Sequence, residues 1–230
     1  MSLIVVPEHS RAELAAWSEH ARRDLAASTT LAFLRDCEQA MANLLAFARA
    51  GPFRCSVSWG KDSTCLAHLT WSLGEEHGFR VPLDWVRIEP TPNPWCHLVR
   101  DAFLERWPMD YHEVEVRWDQ GQDFPWGCRE AVRRTGMSRY ATGVRAAESA
   151  PRKKLMRASG PVRENTCSPM GWWPASSVWA YLAAHDLPIH PAYAMSYGGR
   201  LDRDRIRVDS IGGETGRGFG RAEWEQRYAT

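Results

Sequence analysis

The sequence predicts an α/β protein built on an open, mostly parallel sheet with helices on both faces. Short apolar runs suited to buried strands alternate with longer segments of helical periodicity, and the strand–helix–strand order repeats along the chain. A length of 230 residues, with 44% hydrophobic and 25% charged residues, suits one domain, or one domain with an extension, whose core needs no disulfides.

Residues 10–50 read as two helices. Leu14, Trp17, Ala21 and Leu25 recur at helical spacing, then Leu31, Leu34, Met41, Leu44, Leu45 and Ala48 after a break at Ser28-Thr29-Thr30. Gly51-Pro52 stops the second helix, and Phe53–Val57 is the first buried strand. Ser58–Asp62 turns the chain into a helix from Ser63 onward, with Leu66, Leu69, Trp71 and Leu73 as its core positions and Gly78 closing it. Val81–Ile88 is the second strand. Pro90–Pro94 leads into a helix over 95–107, Tyr111–Val116 is the third strand, and 127–134 is a short helix. Arg139–Val144 is the fourth strand, followed by a polar turn at Arg145–Ser149. A last helix over 176–185 carries Val178, Trp179, Tyr181 and Leu182. From residue 196 to 220 the chain is rich in Gly, Arg and Asp, as an arm or active-site flap would be.

The net charge of +1 provides no global field toward nucleic acid or anionic membrane, and no apolar run approaches a membrane span. The 12 Trp read as core side chains. The six Cys form no CxxC pair, so no local iron–sulfur or zinc spacing is present. With no signal-peptide pattern at Met1–Pro7, free thiols in a cytoplasmic setting are the expectation.

The chemistry concentrates in two turns. The first is Ser58-Trp59-Gly60-Lys61-Asp62-Ser63, between a strand and a helix. A helix start presents unpaired N–H groups and a partial positive charge, which together form an anion site. Gly60 permits close backbone approach or an unusual dihedral, Ser58 and Ser63 offer hydroxyls, and Lys61 offers a compact charge. Only three of the 29 basic residues are Lys, so Lys61 stands against the chain's own habit. The plain alternative is a strand–turn–helix capped by Asp62 or Ser63. The Walker spacing is absent. The second turn runs Gly143-Val144-Arg145-Ala146-Ala147-Glu148-Ser149-Ala150-Pro151-Arg152. Arg145 and Arg152 suit phosphate or sulfate oxygens, and Glu148 either orients an Arg or helps hold a metal. Its plain alternative is a helix start with Glu148 pairing Arg152.

Ser58–Leu69 resembles the S-G-G-K-D-S-T-x-x-L-H-L segment of the phosphoadenylyl sulfate (PAPS) reductase family, within the PP-loop ATP pyrophosphatase superfamily, with Trp59 in place of the commoner Gly. Gly143–Arg152 resembles that family's G-x-R-x-x-E-S-x-x-R. Trp173, Val178-Trp179, Tyr181-Leu182, Leu187-Pro188 and His190–Tyr193 resemble its third segment, with Ser177 where Asp is usual. The resemblance implies a five-stranded parallel sheet and an adenine nucleotide, ATP or a relative, bound with Mg²⁺ through Ser58–Ser63, Gly143, Arg145, Ser149 and Arg152. Lys61, Asp62, Arg145 and Glu148 are the expected catalytic set, with Asp62 or the phosphates holding the metal. On this reading residues 1–50 are a helical extension, 51–195 the PP-loop domain and 196–230 an arm packing on it. The N-terminal helices would cover the sheet or form a homodimer contact.

Reductases of the family use a C-terminal Cys, and no Cys follows Cys167 in this sequence. The resemblance therefore favours cleavage of ATP between the α- and β-phosphates, with adenylation of an unidentified acceptor: a small molecule, a sulfur carrier or nucleic acid. The alternatives are sulfonucleotide reduction or sulfur transfer, with Cys128 or Cys167 recruited, and a non-catalytic nucleotide-binding or nucleic-acid-associated module. Arg200, Arg203, Arg205 and Arg207, interleaved with Asp202, Asp204 and Asp209, read as a flap over the ligand or as a solvated loop. Arg152-Lys153-Lys154 and Arg157 form a small basic patch.

Overall fold

The fold is taken from a computed structural model, which describes residues 2–89, 95–195, 202–206 and 208. The elements in chain order are β1 (Ser2–Leu3), α1 (Arg11–Ala27), α2 (Leu31–Arg49), β2 (Arg54–Ser56), α3 (Lys61–His77), β3 (Leu83–Glu89), α4 (Trp95–Arg106), β4 (Tyr111–Arg117), α5 (Phe124–Thr135), β5 (Tyr140–Thr142), α6 (Ala150–Ser159), β6 (Thr166–Cys167), α7 (Ala175–Ala184) and β7 (Pro188–Ile189). Five strands form one parallel sheet in the order β4-β3-β2-β5-β6. β1 and β7 form a separate two-stranded parallel pair.

Local chemistry sets the helix ends. Ser10 and Glu13 form a capping box at the start of α1, and Thr30 accepts from Phe33 N–H at the start of α2. Ser28-Thr29-Thr30 is thus both the break and the next cap. Gly78 ends α3 at a φ of 70°, a left-handed conformation that a Cβ disfavours. Pro125 sits in the first turn of α5 and Asp123 caps it.

The strand period divides the core. Leu83 and Trp85 face the large cluster that also holds Cys55, Leu66, Leu69, Phe103, Val178 and Leu182. Val86, Val114 and Val116 face the other side and pack with Ala131 of α5. A Cβ on Gly127 would run into the Val86 and Val116 side chains, so that glycine brings α5 onto the sheet. On the same face Arg54 Nη1 lies 2.5 Å from Asp84 Oδ1, with both side chains at most 5% exposed.

The N-terminal helices share the large cluster with the sheet. Trp17 meets Trp179 edge-on at 5.9 Å, and Phe33, Leu44 and Phe47 are buried. Asp36 accepts from Ser177 Oγ at 2.6 Å, so the serine at the family's usual aspartate position binds a carboxylate from α2 instead. Leu25, Leu31 and Leu34, expected from spacing to face inward, are 55%, 72% and 46% exposed. They flank the α1–α2 break at the helix ends. Of the tryptophans, Trp172 departs from the core expectation at 49% exposure. No helix among the described residues is long and apolar enough to cross a membrane.

Candidate functional site

The strand order fixes where a ligand can sit. From β2 the chain moves outward through β3 and β4, then returns to place β5 on the other flank of β2. The carboxyl ends of β2 and β5 are therefore the topological switch point, where open parallel sheets bind ligands. Ser56 pairs with Thr142 across these strands, so the 58–63 turn and the 143–149 turn leave the sheet side by side. Gly143 makes their contact possible: a Cβ there would lie 3.0–3.1 Å from the Asp62 carbonyl group and the Ser63 nitrogen.

The two turns are joined by charge. Asp62 Oδ1 accepts from Arg145 Nε at 2.5 Å, and Asp62 Oδ2 lies 3.1 Å from Lys61 Nζ. Arg145 Nη1 also donates to the Trp173 carbonyl at 3.1 Å. The Lys61 and Arg145 side chains are 5% and 4% exposed. Burial opposes the charge on Lys61, but the Asp62 carboxylate outweighs it and holds the ammonium above its ordinary pKa. Burial likewise opposes the Asp62 charge, and the Lys61 and Arg145 cations outweigh it, keeping the carboxyl below its ordinary range. Two cations and one anion leave this triad with a formal charge of +1 at the N-terminus of α3.

The remaining loop residues hold its shape. Ser63 Oγ accepts from Ser58 N–H at 3.1 Å and donates to the Gly60 carbonyl at 3.1 Å. Gly60, not Asp62 or Ser63, is the N-cap of α3. Its φ of −82° is ordinary, so of the two reasons for a glycine here the structure keeps close approach: a Cβ would lie 3.0 Å from Val208 Cγ2 and 3.3 Å from the Tyr193 hydroxyl. The unusual dihedral belongs to Trp59, at φ 59°. This explains why glycine is common at that place in the resembled family. The Trp59 ring points into the core. It is fully buried, 5.5 Å from Phe103 and 5.9 Å from Tyr111, and leaves backbone at the loop surface at its own position.

In the second turn, Glu148 accepts from Arg145 N–H at 2.9 Å and forms an ion pair with Arg152. Ser149 accepts from Arg152 N–H and caps α6, which is the helix start that the plain alternative offers. Glu148 thus orients an arginine, and its i, i+4 pairing is present as well. Asp62 does not fit the role of metal ligand, because both its oxygens are engaged by cations. Among the described residues no three His, Cys, Asp or Glu side chains converge on a point that could hold a metal ion.

The arm is only partly described: Arg200, Arg207 and Asp209 lie outside the described residues, as does the 90–94 turn. Arg203 is engaged by the helical core. It pairs with Asp24 of α1 at 2.6 and 2.7 Å and lies 4.4 Å from the Trp179 ring centroid. The sequence reading missed Tyr193, whose hydroxyl accepts from Lys61 N–H at 3.1 Å. The His-Pro-Ala-Tyr match pointed to it, but a buried Tyr reads as core until its partner is seen.

A glycine-containing turn between a strand and a helix N-terminus, at the switch point of a parallel sheet, puts the chain among the α/β proteins of open parallel-sheet fold, which as a class bind ligands at strand ends. Comparison with known proteins gives a relative within that class. The chain is similar to phosphoadenosine 5'-phosphosulfate reductase of Xanthomonas axonopodis pv. citri (strain 306), at 34% identity over 71 residues. The match spans 30% of this chain and 29% of that relative, which supports a relation at the level of the PAPS reductase and PP-loop superfamily. No family model matches the chain.

Proposed function

We propose that this chain is a PP-loop enzyme that binds ATP, cleaves its α–β phosphate bond and adenylates an acceptor. The observation that carries the reading is the buried Lys61–Asp62–Arg145 triad, with its excess positive charge, at the β2–β5 switch point. An acceptor nucleophile attacks the α-phosphorus, the bond to the bridging oxygen breaks, and pyrophosphate leaves with the electron pair. The nucleophile's proton passes to solvent. Charge develops on the leaving pyrophosphate, and Lys61 at a helix N-terminus is placed to stabilise it. Asp62 acts as an anchor, fixing both cations in low dielectric, where they act more strongly than in water. Glu148 holds Arg152 toward the same edge, and Mg²⁺ would come with the phosphates rather than on Asp62.

The name of the similar relative favours a second reading, reduction of a sulfonucleotide. That chemistry needs a thiolate. Burial pushes the Cys37 and Cys167 thiols up to about 12 and raises those of Cys55, Cys65 and Cys128 as well. Adenylyl transfer needs no thiol and is the better supported of the two.

Isothermal titration of the wild type and Lys61→Ala with ATP, its α,β-non-hydrolysable analogue and phosphoadenylyl sulfate, each with Mg²⁺, tests both readings. ATP binding that the substitution weakens at least tenfold is the expected result. Binding of the sulfated nucleotide alone would return the lead to reduction, and binding of neither would remove the phosphate-loop assignment.

A further inference from the structure

One side chain occupies the first amide through which the α3 start would hold an anion. The Tyr193 hydroxyl oxygen accepts from Lys61 N–H at 3.1 Å, and the Lys61 ammonium lies 5.3 Å from the centroid of the Tyr193 ring. An acceptor oxygen at hydrogen-bond distance from the first amide of α3 is what a phosphate oxygen would be. Val208 covers the same place, with its Cγ2 3.0 Å from the position of a Gly60 Cβ. The segment carrying Val208 is fastened at several points. Cys96 Sγ donates to the Val208 carbonyl at 3.5 Å, and Ile206 is buried. Trp179 Nε1 donates to Asp204 at 2.5 Å, and Arg203 pairs with Asp24.

We propose, resting on the phosphate-loop reading, that Tyr193 is a positioning residue that works by exchange. Its hydroxyl stands in for a phosphate oxygen on the Lys61 amide. An arriving phosphate takes that amide and the Lys61 ammonium from it, and Val208 moves off Gly60 as this happens. Ligand binding is thereby coupled to release of Val208 from Cys96 and of Arg203 and Asp204 from α1 and α7. The coupling selects for ligands with two phosphates in line, because a single oxygen gained at Lys61 N–H only replaces the one lost.

The probe is inorganic pyrophosphate, titrated calorimetrically against the wild type, Lys61→Ala, Tyr193→Phe and Arg203→Ala, with circular dichroism confirming that each is folded. Tyr193→Phe removes the competing acceptor, so it is expected to bind pyrophosphate about fivefold more tightly, the equivalent of one net hydrogen bond, while melting lower without it. Arg203→Ala, remote from the loop, is expected to raise the association rate followed by tryptophan fluorescence. A hydroxyl that merely filled the core would leave affinity unchanged or lowered. If the wild type binds, Lys61→Ala does not, and Tyr193→Phe is no tighter, exchange is overturned and the phosphate-loop reading stands. If neither the wild type nor the Tyr193 and Arg203 variants bind, the phosphate-loop reading falls and the exchange with it.

Discussion

Asp62→Asn keeps the size of the side chain and deletes its charge, which makes it a direct test of the triad. Asp62 is in contact with Lys61 Nζ at 3.1 Å and Arg145 Nε at 2.5 Å, and these two cationic side chains are 5% and 4% exposed. Removing the anion leaves two buried cations without their partner, a change that costs about 3–5 kcal/mol. At roughly 2–4 °C per kcal/mol for a chain of this length, the unfolding midpoint should fall by roughly 10 °C. Thermal unfolding followed by circular dichroism at neutral pH measures it. Molar salt should recover little of the loss, because the pair is shielded from solvent. Pyrophosphate should raise the midpoint of the variant more than that of the wild type, since it supplies the missing negative charge. The pH dependence has a definite sign. The folded-state pKa of Asp62 is lowered, so its contribution is complete above the unfolded value near 3.8 and is lost as pH falls through the folded value. The two proteins should therefore converge in acid. A fall of less than about 2 °C, or one erased by salt, would mean that the triad is solvated and that its charge cannot act on a ligand in the way argued.

Three further substitutions probe the surroundings. Trp59→Gly suits the φ of 59° but empties a fully buried site; cavity loss should win, lowering stability by roughly 2–4 kcal/mol in urea titration with ATP affinity within about twofold of wild type. Gly143→Ala should push the second turn off the first, because the new Cβ meets backbone at 3.0–3.1 Å; loss of about 1–3 kcal/mol and at least tenfold weaker ATP binding are expected, and unchanged calorimetry would refute the contact. Arg54→Met strands the Asp84 carboxylate, whose pKa burial already raises despite Arg54; the variant should lose about 3–5 kcal/mol at neutral pH and regain part of it in acid as Asp84 takes up a proton, which stability measured against pH will show.

Much of the sheet was readable because its strands are short apolar runs between Gly- and Pro-marked turns. Phe53–Val57 became Arg54–Ser56, and Tyr111–Val116 became Tyr111–Arg117. β6 and the β1–β7 pair escaped because two residues carry no period, and they are strands only through partners far away in sequence. α6 was legible only as a helix start, because Met156 is its one fully buried residue and no apolar stripe marks it; its helix signals are the Ser149 cap and Pro151 in the first turn. The outward leucines at positions 25, 31 and 34 show the reverse failure, a correct period with the wrong face at the helix ends.

The site divides along the same line. Which turns carry it follows from local sequence, because a strand, a glycine-containing turn and a helix start are local events. What each residue does depends on contacts across 83 positions, from Asp62 to Arg145, and 132 positions, from Lys61 to Tyr193. Those contacts reassign the roles. Asp62 and Ser63 anchor the loop, Ser149 caps a helix, and the Trp59 ring fills the core. Lys61 is the cation that the loop itself supplies; it is paired with Asp62, and Arg145 adds the charge that leaves the triad net positive at the α3 start. On the proposed reading, a loop that acts mainly through backbone and a compact cation tolerates Trp at position 59, because the ring lies in the core and only main chain is offered there. It does not tolerate a Cβ at Gly143 or Gly60, where the main chain itself must make the approach. On the proposed phosphate-loop reading, specificity among ligands would then come from what borders the loop, and Tyr193, Val208 and Arg145 are side chains in contact with it.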